Sequence, residues 1–235
     1  MDTKRFDTLE FQQEFHYDGP LGVSCGPEGT VFRLWAPTAQ EVALHLYDNG
    51  IFGGLLETVL LPRGAKGVWT YETKRNLDGV YYDYDVTVDG IRRRTADPYA
   101  CACGLNGHRS MVLDLKRTDP RGWKEDRAPA RGPESVIYEI HVKDFSWDAA
   151  SGVEPRYRGK YLGLCQTGTT LRADSAHPTG IDYLMRLGVT HVQLMPVFDY
   201  GSVDEAGDPD AFNWGYDPEK RNTPSHSFLL VDSGN

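Results

Sequence analysis

The chain lacks the sequence marks of several large protein classes. It has no long apolar run that could span a bilayer or serve as a signal peptide, and its opening segment, MDTKRFDTLEFQQEF, is polar and mixed in charge. It also has no glycine-rich phosphate loop, no HExxH pair and no GxSxG elbow, the usual marks of nucleotide-binding proteins, zinc proteases and serine hydrolases. We therefore expect a cytoplasmic protein outside these three classes, with no membrane contact.

Cysteine and surplus positive charge are also scarce. The four cysteines, Cys25, Cys101, Cys103 and Cys165, form no CxxC pair, and neighbours two residues apart are awkward disulfide partners. We expect reduced thiols and no metal site. The 25 basic residues are outnumbered by 34 acidic ones, and the net charge of -9 predicts no basic surface for nucleic acid or anionic lipid.

The first half of the chain has a series of short extended segments. Alternating apolar positions, aromatic and β-branched side chains, and Gly or Asn at the joints are typical of strands of about five to seven residues. The segments that follow this pattern are TVFRLWAP, EVALHLYD, ETVLLP, GVWTYET, GVYYDYDVTVDG and RSMVLDL. Strands at this spacing predict an antiparallel β-sandwich over residues 1–120.

The alternation also predicts which side chains of the sandwich face its core. The expected inward residues are Val31, Leu34, Trp35, Val42, Leu44 and Leu46. The residues expected to face outward or cover an edge are Arg33, Glu41 and His45. Asp89 and Gly90 predict a hairpin turn, because glycine adopts a positive φ without steric cost.

The composition changes between the two halves of the chain. Residues 121–134, RGWKEDRAPARGPE, are rich in Pro, Gly and charge and predict a linker. In the domain expected beyond it, residues 135–235, the segments SVIYEIHV and HVQLMPV are nearly continuous apolar runs. Such runs are typical of parallel strands that are covered on both faces.

The segment TGIDYLMRLG, between these two strands, has helical spacing. Thr179 and Asp182 resemble a capping box, and Gly188 is suited to end the helix. Its apolar residues share one face: Ile181, Leu184, Met185 and Leu187. A strand, a helix and a second strand predict a βαβ unit.

Long loops follow both strands of this unit, and they contain the candidate site. Loops at the carboxyl ends of parallel strands commonly carry function. The candidate substrate-binding residues are His141, Asn213, Trp214, Tyr216 and Asp217. Aromatic rings and carboxylates without surrounding Lys or Arg suit a neutral sugar, because a ring stacks on its apolar face and an acid accepts from its hydroxyls.

Two assignments in these loops stay open. His141 fits a histidine that anchors the core or the loop as well as one that contacts substrate. The acidic residues fit either a solvated surface or a cation site, with calcium as the candidate ion: Asp199, Asp204, Glu205 and Asp208. The sequence itself indicates no cofactor.

Six motifs occur in order along the chain: FRLWAPTAQEVALHLY, TADPYA, NGHRSMVLDL, YEIHVKDFS, GIDYLMRLGVTHVQLMPVFDY and NWGYDP. Together they resemble the motifs of the type I pullulanases, glycoside hydrolases of the α-amylase superfamily. The resemblance implies an immunoglobulin-like starch-binding sandwich followed by the beginning of a (β/α)8 barrel. It also implies retaining hydrolysis of α-1,6 linkages in an α-glucan: pullulan, amylopectin or glycogen-derived dextrins.

The resemblance assigns roles to two residues of the NWGYDP motif. Tyr216 matches the tyrosine that stacks under the sugar at the cleavage point, and Asp217 matches the adjacent residue of that subsite. The family's nucleophile and acid/base belong to later motifs, which this chain does not contain. We therefore expect no catalytic residue here, an incomplete barrel whose edges and apolar faces lack partners, and a chain that is inactive alone.

Two other functions remain as alternatives. A non-enzymatic α-glucan-binding module would use exposed aromatic residues of the sandwich, such as Trp69, Tyr71 or Tyr81. A relative of branching enzymes or isoamylases would keep the same architecture and cleave or form a different bond. The sequence makes no prediction of the oligomeric state.

Overall fold

A computed structural model describes residues 6–130 and 132–225 of the chain. The chain divides into two compact units, Met1–Pro120 and Arg121–Asn235. None of the helices among the described residues is long and apolar enough to cross a membrane.

The first unit has, in its described part, one short α-helix and eight strands, besides short 3-10 turns. The helix α1 spans Leu9–Phe15, and Thr8 caps it by accepting a hydrogen bond from the Phe11 amide at 3.2 Å. The strands are β1 (Gly22–Gly26), β2 (Gly29–Trp35), β3 (Glu41–Tyr47), β4 (Leu55–Leu60), β5 (Val68–Thr73), β6 (Tyr81–Val88), β7 (Ile91–Thr95) and β8 (Ser110–Met111).

These strands form two antiparallel sheets. One sheet has the order β1-β2-β5, and the other has the order β4-β3-β6-β7 with β8 paired to β6. The predicted antiparallel sandwich is therefore confirmed. The sequence pattern did not predict β1, because GVSCG has glycine at both ends and a single β-branched residue.

The core of the sandwich is built from the even-numbered residues of β2 and β3. Phe32 and Leu34 are buried, as are the predicted inward residues Val42, Leu44 and Leu46. Val31 was predicted to face inward, and this is wrong, because it alternates with Phe32 and so lies on the opposite face of β2.

Trp35 shares the outer face of β2 with Val31, so its prediction as a core residue is also wrong. Its side chain is 38% exposed. The indole Nε1 donates to the carbonyl oxygens of Phe15, at 3.0 Å, and Lys66, at 3.1 Å. The tryptophan thus ties α1 to the edge of the sandwich, and α1 was not visible in the sequence pattern.

His45 points away from the core as predicted, but it is buried rather than exposed. Its Nδ1 lies 2.9 Å from the Thr58 hydroxyl and its Nε2 lies 3.1 Å from an Asp85 carboxylate oxygen. Thr58 and Asp85 belong to the strands on either side of β3, and Arg94 of β7 also bonds to Asp85. The outer face of this central strand is covered by polar side chains of its neighbours, which alternation alone does not show.

The predicted Asp89-Gly90 turn is confirmed. Asp89 has a φ of 51° and Gly90 a φ of 74°, and the two residues join β6 to β7 in an antiparallel hairpin. Two consecutive positive φ values are those of the tight turns whose twist matches that of paired strands.

The second unit contains a parallel pair of strands, and a helix lies between them in the sequence. The strands β9 (Ile137–Ile140) and β10 (His191–Leu194) pair in parallel, and α2 spans Gly180–Leu187. The predicted strand, helix and strand are therefore present. Two further strands, β11 (Phe198–Tyr200) and β12 (Pro218–Pro224), form an antiparallel pair that the sequence pattern did not predict.

The parallel pair is exposed on both faces, contrary to the expectation from its apolar sequence. Ile137 is 64% exposed, and Val192 and Leu194 are exposed as well. Each strand has only the other as a sheet partner among the described residues. The apolar side chains Ile137, Val192 and Leu194 are therefore uncovered in the described part of the chain.

The ends of α2 agree in part with the prediction. Gly188 ends the helix with a φ of 79°, as predicted. The capping box is wrong, because the Thr179 hydroxyl donates to the Ser151 carbonyl and the Asp182 carboxylate accepts from the Gly168 amide. Both side chains are used to hold the long loop that precedes the helix.

Candidate functional site

The NWGYDP loop is organised by Asn213. This side chain is buried, and its Nδ2 donates to Asp217 Oδ1 at 2.8 Å and to the Ser202 hydroxyl at 3.1 Å. Its Oδ1 accepts from the Gly215 amide at 2.6 Å. One amide side chain therefore links both ends of the loop, which explains why an Asn precedes the aromatic residues.

Asp217 is held as an ionised hydrogen-bond acceptor. Its Oδ2 accepts from the Ser202 amide at 3.0 Å, and its Oδ1 accepts from Asn213. Burial acts to raise the pKa of Asp217, but the hydrogen bonds from Ser202 and Asn213 outweigh it, and the pKa lies below its ordinary value. A carboxyl group with a lowered pKa is suited to accept from a hydroxyl and unsuited to act as a general acid.

The hydrogen bonds among Asn213, Ser202 and Asp217 form a frame for the loop. The rings of Trp214 and Tyr216 lie on the outside of this frame. Trp214 is 60% exposed and Tyr216 is 44% exposed, and the ring centroids lie 5.9 Å apart at an angle of 54°. The Tyr216 hydroxyl donates to a carboxylate oxygen of Glu139 on β9. That hydrogen bond is the main cause of a raised pKa for the Tyr216 phenol, followed by desolvation. Exposed aromatic faces of this kind can stack on an apolar surface.

His141 lies directly beneath the loop. It follows β9, is buried, and stacks on Tyr200 with ring centroids 6.1 Å apart and planes 13° apart. A Cβ built on Gly215 would lie 2.8 Å from His141 Cδ2 and 3.0 Å from Met195 Sδ, and Gly215 has a φ of +85°. Only glycine allows the loop backbone to approach the imidazole so closely.

The contacts of His141 favour the loop-anchoring reading of this residue. Its Nδ1 lies 3.4 Å from the Asp144 amide, and its Nε2 lies 3.3 Å from the Tyr200 hydroxyl. The structure thus brings His141 against the NWGYDP loop at Gly215, and His141 and Asn213 line the same cavity. A direct contact of His141 with substrate stays a prediction.

A cavity of about 320 Å³ lies next to His141, between the loops that follow β9 and β11. Lys143 bridges these loops, because its Nζ donates to the carbonyls of Pro209, at 2.6 Å, and Ala211, at 3.0 Å. Trp147 Nε1 donates to Asp210 at 3.1 Å. His141 and Asn213 line the cavity, whereas Tyr216 and Asp217 lie outside its lining.

The four acidic residues with open assignments, of which Asp199 lies in β11 and the others follow it, do not form a metal-binding cluster in the described part of the chain. Asp199 is buried, so a solvated surface is wrong for this residue. Asp204 and Asp208 are exposed, and each accepts from a backbone amide two residues further on, at 3.1 and 2.9 Å. These two carboxylates therefore stabilise turns of the loop.

Glu139 and Ser202 are the site residues that the sequence pattern did not single out. Glu139 lies within a strand that reads as apolar, and Ser202 acts through its backbone amide and its hydroxyl. Parallel register would have placed Glu139 beside Gln193. Nothing in the sequence pattern would have joined Glu139 to Tyr216.

Comparison with known proteins gives a family match to part of the chain and many similar curated proteins. Residues 20–100 match carbohydrate-binding module 48, the isoamylase N-terminal domain. The chain is 37% identical over 222 residues to the pullulanase of Bacillus subtilis (strain 168), and the alignment covers 94% of this chain and 30% of that protein.

Solved pullulanase structures are also similar to this chain, both in sequence and in fold. A mutant pullulanase from Paenibacillus barengoltzii complexed with maltotriose is 41% identical, with a TM-score of 0.86, and the match covers 94% of this chain and 35% of that one. Pullulanase from Bacillus acidopullulyticus is 42% identical, with a TM-score of 0.85, over 94% of this chain and 27% of that one. The chain spans about a third of the length of these relatives and corresponds to their N-terminal part.

Proposed function

Because the chain is a relative of the N-terminal part of pullulanases, we propose that it serves α-glucan hydrolysis as part of a longer polypeptide. The reaction is cleavage of α-1,6-glucosidic linkages in pullulan, amylopectin or glycogen-derived dextrins, with retention of configuration. The observation that carries this proposal is the NWGYDP frame, in which Asn213 and Asp217 hold two exposed aromatic rings next to a parallel strand pair.

The second unit is proposed to be the first part of a (β/α)8 barrel. The parallel pairing of β9 and β10, the helix between them and the long loops at their carboxyl ends all support this. The exposed faces of the two strands would be covered by the remaining strands and helices of the barrel. The site loops would then lie on the face of the barrel where active sites are built.

The proposed part of this chain in the reaction is to bind sugar. The ring of Tyr216 would stack under a glucose unit, with Trp214 beside it and Asp217 shaping the same subsite. Asp217 is unsuited to be the acid, since its pKa is lowered and its oxygens already accept hydrogen bonds. The nucleophile and the acid/base are proposed to come from polypeptide beyond this chain, so the chain alone is inactive.

The test is calorimetric titration of the 235-residue chain with maltotriose, the sugar bound by the Paenibacillus relative. Tyr216→Ala should abolish binding, because it removes the stacking surface. Tyr183→Ala is the matched control, since Tyr183 is also 44% exposed in the second unit but lies on α2. Equal binding by the two variants would overturn the assignment of Tyr216, and release of reducing ends from pullulan by the chain alone would overturn the assignment of the missing groups.

A second candidate is a glucan-binding function carried by the sandwich itself, which the module match to residues 20–100 favours. Of the aromatic residues that the sequence suggested for this role, Trp69 is buried and its Nε1 donates to the Ala36 carbonyl at 3.0 Å. Tyr71 and Tyr81 are half-buried. Affinity electrophoresis of residues 1–120 in amylopectin gels decides the matter, because an unretarded sandwich removes this candidate.

A further inference from the structure

Glu139 receives hydrogen bonds from two different segments of the second unit. Gln193 faces it in register across the parallel pair β9 and β10, and Gln193 Nε2 donates to Glu139 Oε1 at 3.3 Å. The Tyr216 hydroxyl donates to the same oxygen. Glu139 and Tyr216 are 77 residues apart in the sequence. This one carboxylate therefore connects the strand pair to the NWGYDP loop.

The two ends of Tyr216 are held in different ways. Its backbone belongs to the frame made by Asn213, Asp217 and Gly215, which rests on His141. The side chain beyond it has two rotatable bonds and is 44% exposed, so packing alone does not determine its direction. Among the described contacts, Trp214 lies to one side of the ring and Glu139 accepts at its tip.

Glu139 is well placed to determine that direction. Its backbone is part of a paired strand, whose position is set by ladder hydrogen bonds rather than by a loop. A hydrogen bond to a carboxylate is shorter and stronger than one between two neutral groups. The raised pKa of the Tyr216 phenol has this hydrogen bond as its main cause.

We propose that Glu139 is a positioning residue that fixes the ring of Tyr216 in the orientation needed to stack on a glucose unit of an α-glucan. This inference rests on the proposed function for the choice of ligand. Glu139 itself touches the phenol and not the sugar. The side chain amide of Gln193 holds the carboxylate in place from the other strand.

The first test measures the contact without any sugar. Tyrosine labelled with ¹³C at the ζ carbon is incorporated into the 235-residue chain, and Tyr216→Phe identifies the signal of Tyr216. In the unaltered chain this signal should titrate above the ordinary tyrosine pKa of 10.0. In Glu139→Ala the midpoint should fall toward that value, and in Glu139→Gln, which keeps a neutral acceptor, it should lie between the two.

Glu134→Gln is the matched control, since Glu134 is an exposed carboxylate five residues before Glu139. It should leave the midpoint of Tyr216 unchanged. An identical midpoint in the unaltered chain and in Glu139→Ala would overturn the proposal, whatever the sugar experiment shows.

The second test is calorimetric titration of the same variants with maltotriose. Glu139→Ala and Tyr216→Phe should each weaken binding by about three- to tenfold, the range expected for one lost hydrogen bond. The double variant should bind no more weakly than the weaker single variant, because both remove the same contact. Additive losses, or unchanged binding by Tyr216→Phe, would overturn the proposal.

The two tests separate this inference from the proposed function. If the unaltered chain does not bind maltotriose but the Tyr216 midpoint falls in Glu139→Ala, sugar binding by this chain is wrong and the positioning of Tyr216 by Glu139 stands. Tyr216→Phe removes one oxygen from an exposed side chain, so it also serves as the variant with the least effect on folding.

Discussion

The two units use apolar strand residues in opposite ways. The sandwich buries Val42, Leu44 and Leu46 of β3 completely, in a cluster that both sheets share. The parallel pair of the second unit leaves Ile137 and Val192 exposed. Among the described residues, the buried cluster of this unit consists of Val142 and Tyr200, with three partly buried residues packed against it. The contrast shows that the sandwich has its partners within residues 6–120, whereas the described part of the second unit does not supply them. The candidate site loops therefore follow strands whose apolar side chains are exposed.

The largest expected effect is the difference in stability between truncating a leucine in the core of the sandwich and truncating one in the parallel strand pair. Leu44→Ala should lower the free energy of unfolding of the sandwich by about 2 to 5 kcal/mol, because it leaves a cavity in a packed core. Leu194→Ala, the matched substitution on β10, should cost about 1 kcal/mol or less, since Leu194 is exposed. Urea unfolding followed by circular dichroism measures both. Equal losses would contradict the contrast between the units.

An intermediate effect is expected where the loop backbone meets His141. Gly215→Ala should destabilise the second unit by about 1 to 3 kcal/mol, because the new Cβ requires a positive φ and approaches His141 Cδ2 within 2.8 Å. Gly201→Ala is the control in the neighbouring turn, since its nearest contact would be an ordinary 3.6 Å. Thermal unfolding and maltotriose titration should both separate the two variants. If they behave alike, His141 does not support the loop.

The smallest expected effect concerns two aspartates with opposite pKa shifts. The pKa of Asp217 is lowered from 3.8 in the folded chain, so Asp217 stabilises the second unit above pH 3.8, and this stabilisation is lost as the pH falls through the folded pKa. Burial raises the pKa of Asp83 in the sandwich, so its contribution to stability instead declines as the pH rises above 3.8.

Asparagine substitutions at these two positions test the signs. Asp217→Asn should reduce the loss of unfolding free energy that the second unit shows at acid pH. Asp83→Asn should reduce the fall in the unfolding free energy of the sandwich as the pH rises above 3.8. Urea unfolding between pH 3 and pH 7 measures both. A profile of Asp217→Asn parallel to that of the unaltered chain would show that the bonds from Ser202 and Asn213 do not form in solution.

The strands β2 to β6 and β8 of the sandwich, and the strand, helix and strand of the second unit, follow from local patterns in the sequence, whereas the strand order within the sheets does not. What local patterns do not supply is the neighbour of each residue. Val31 and Trp35 were placed on the wrong face because a shift of one residue reverses every side chain of a strand. His45 is buried because Thr58 and Asp85 lie on the adjacent strands.

The candidate site shows the same division. Its aromatic and acidic residues are contiguous in NWGYDP and could be found from the sequence. Glu139 could not, because its contact with Tyr216 depends on the folded path of a loop. The roles of Tyr216 and Asp217 in sugar binding remain predictions.

Hydrogen exchange of the chain with and without maltotriose tests whether the 213–217 loop is the sugar site, because it reports on both units at once. We expect slow exchange in β3 regardless of sugar, and slower exchange of the 213–217 loop when maltotriose is bound. Protection by maltotriose that is confined to the sandwich, or absent throughout, would contradict the assignment of the sugar site to this loop.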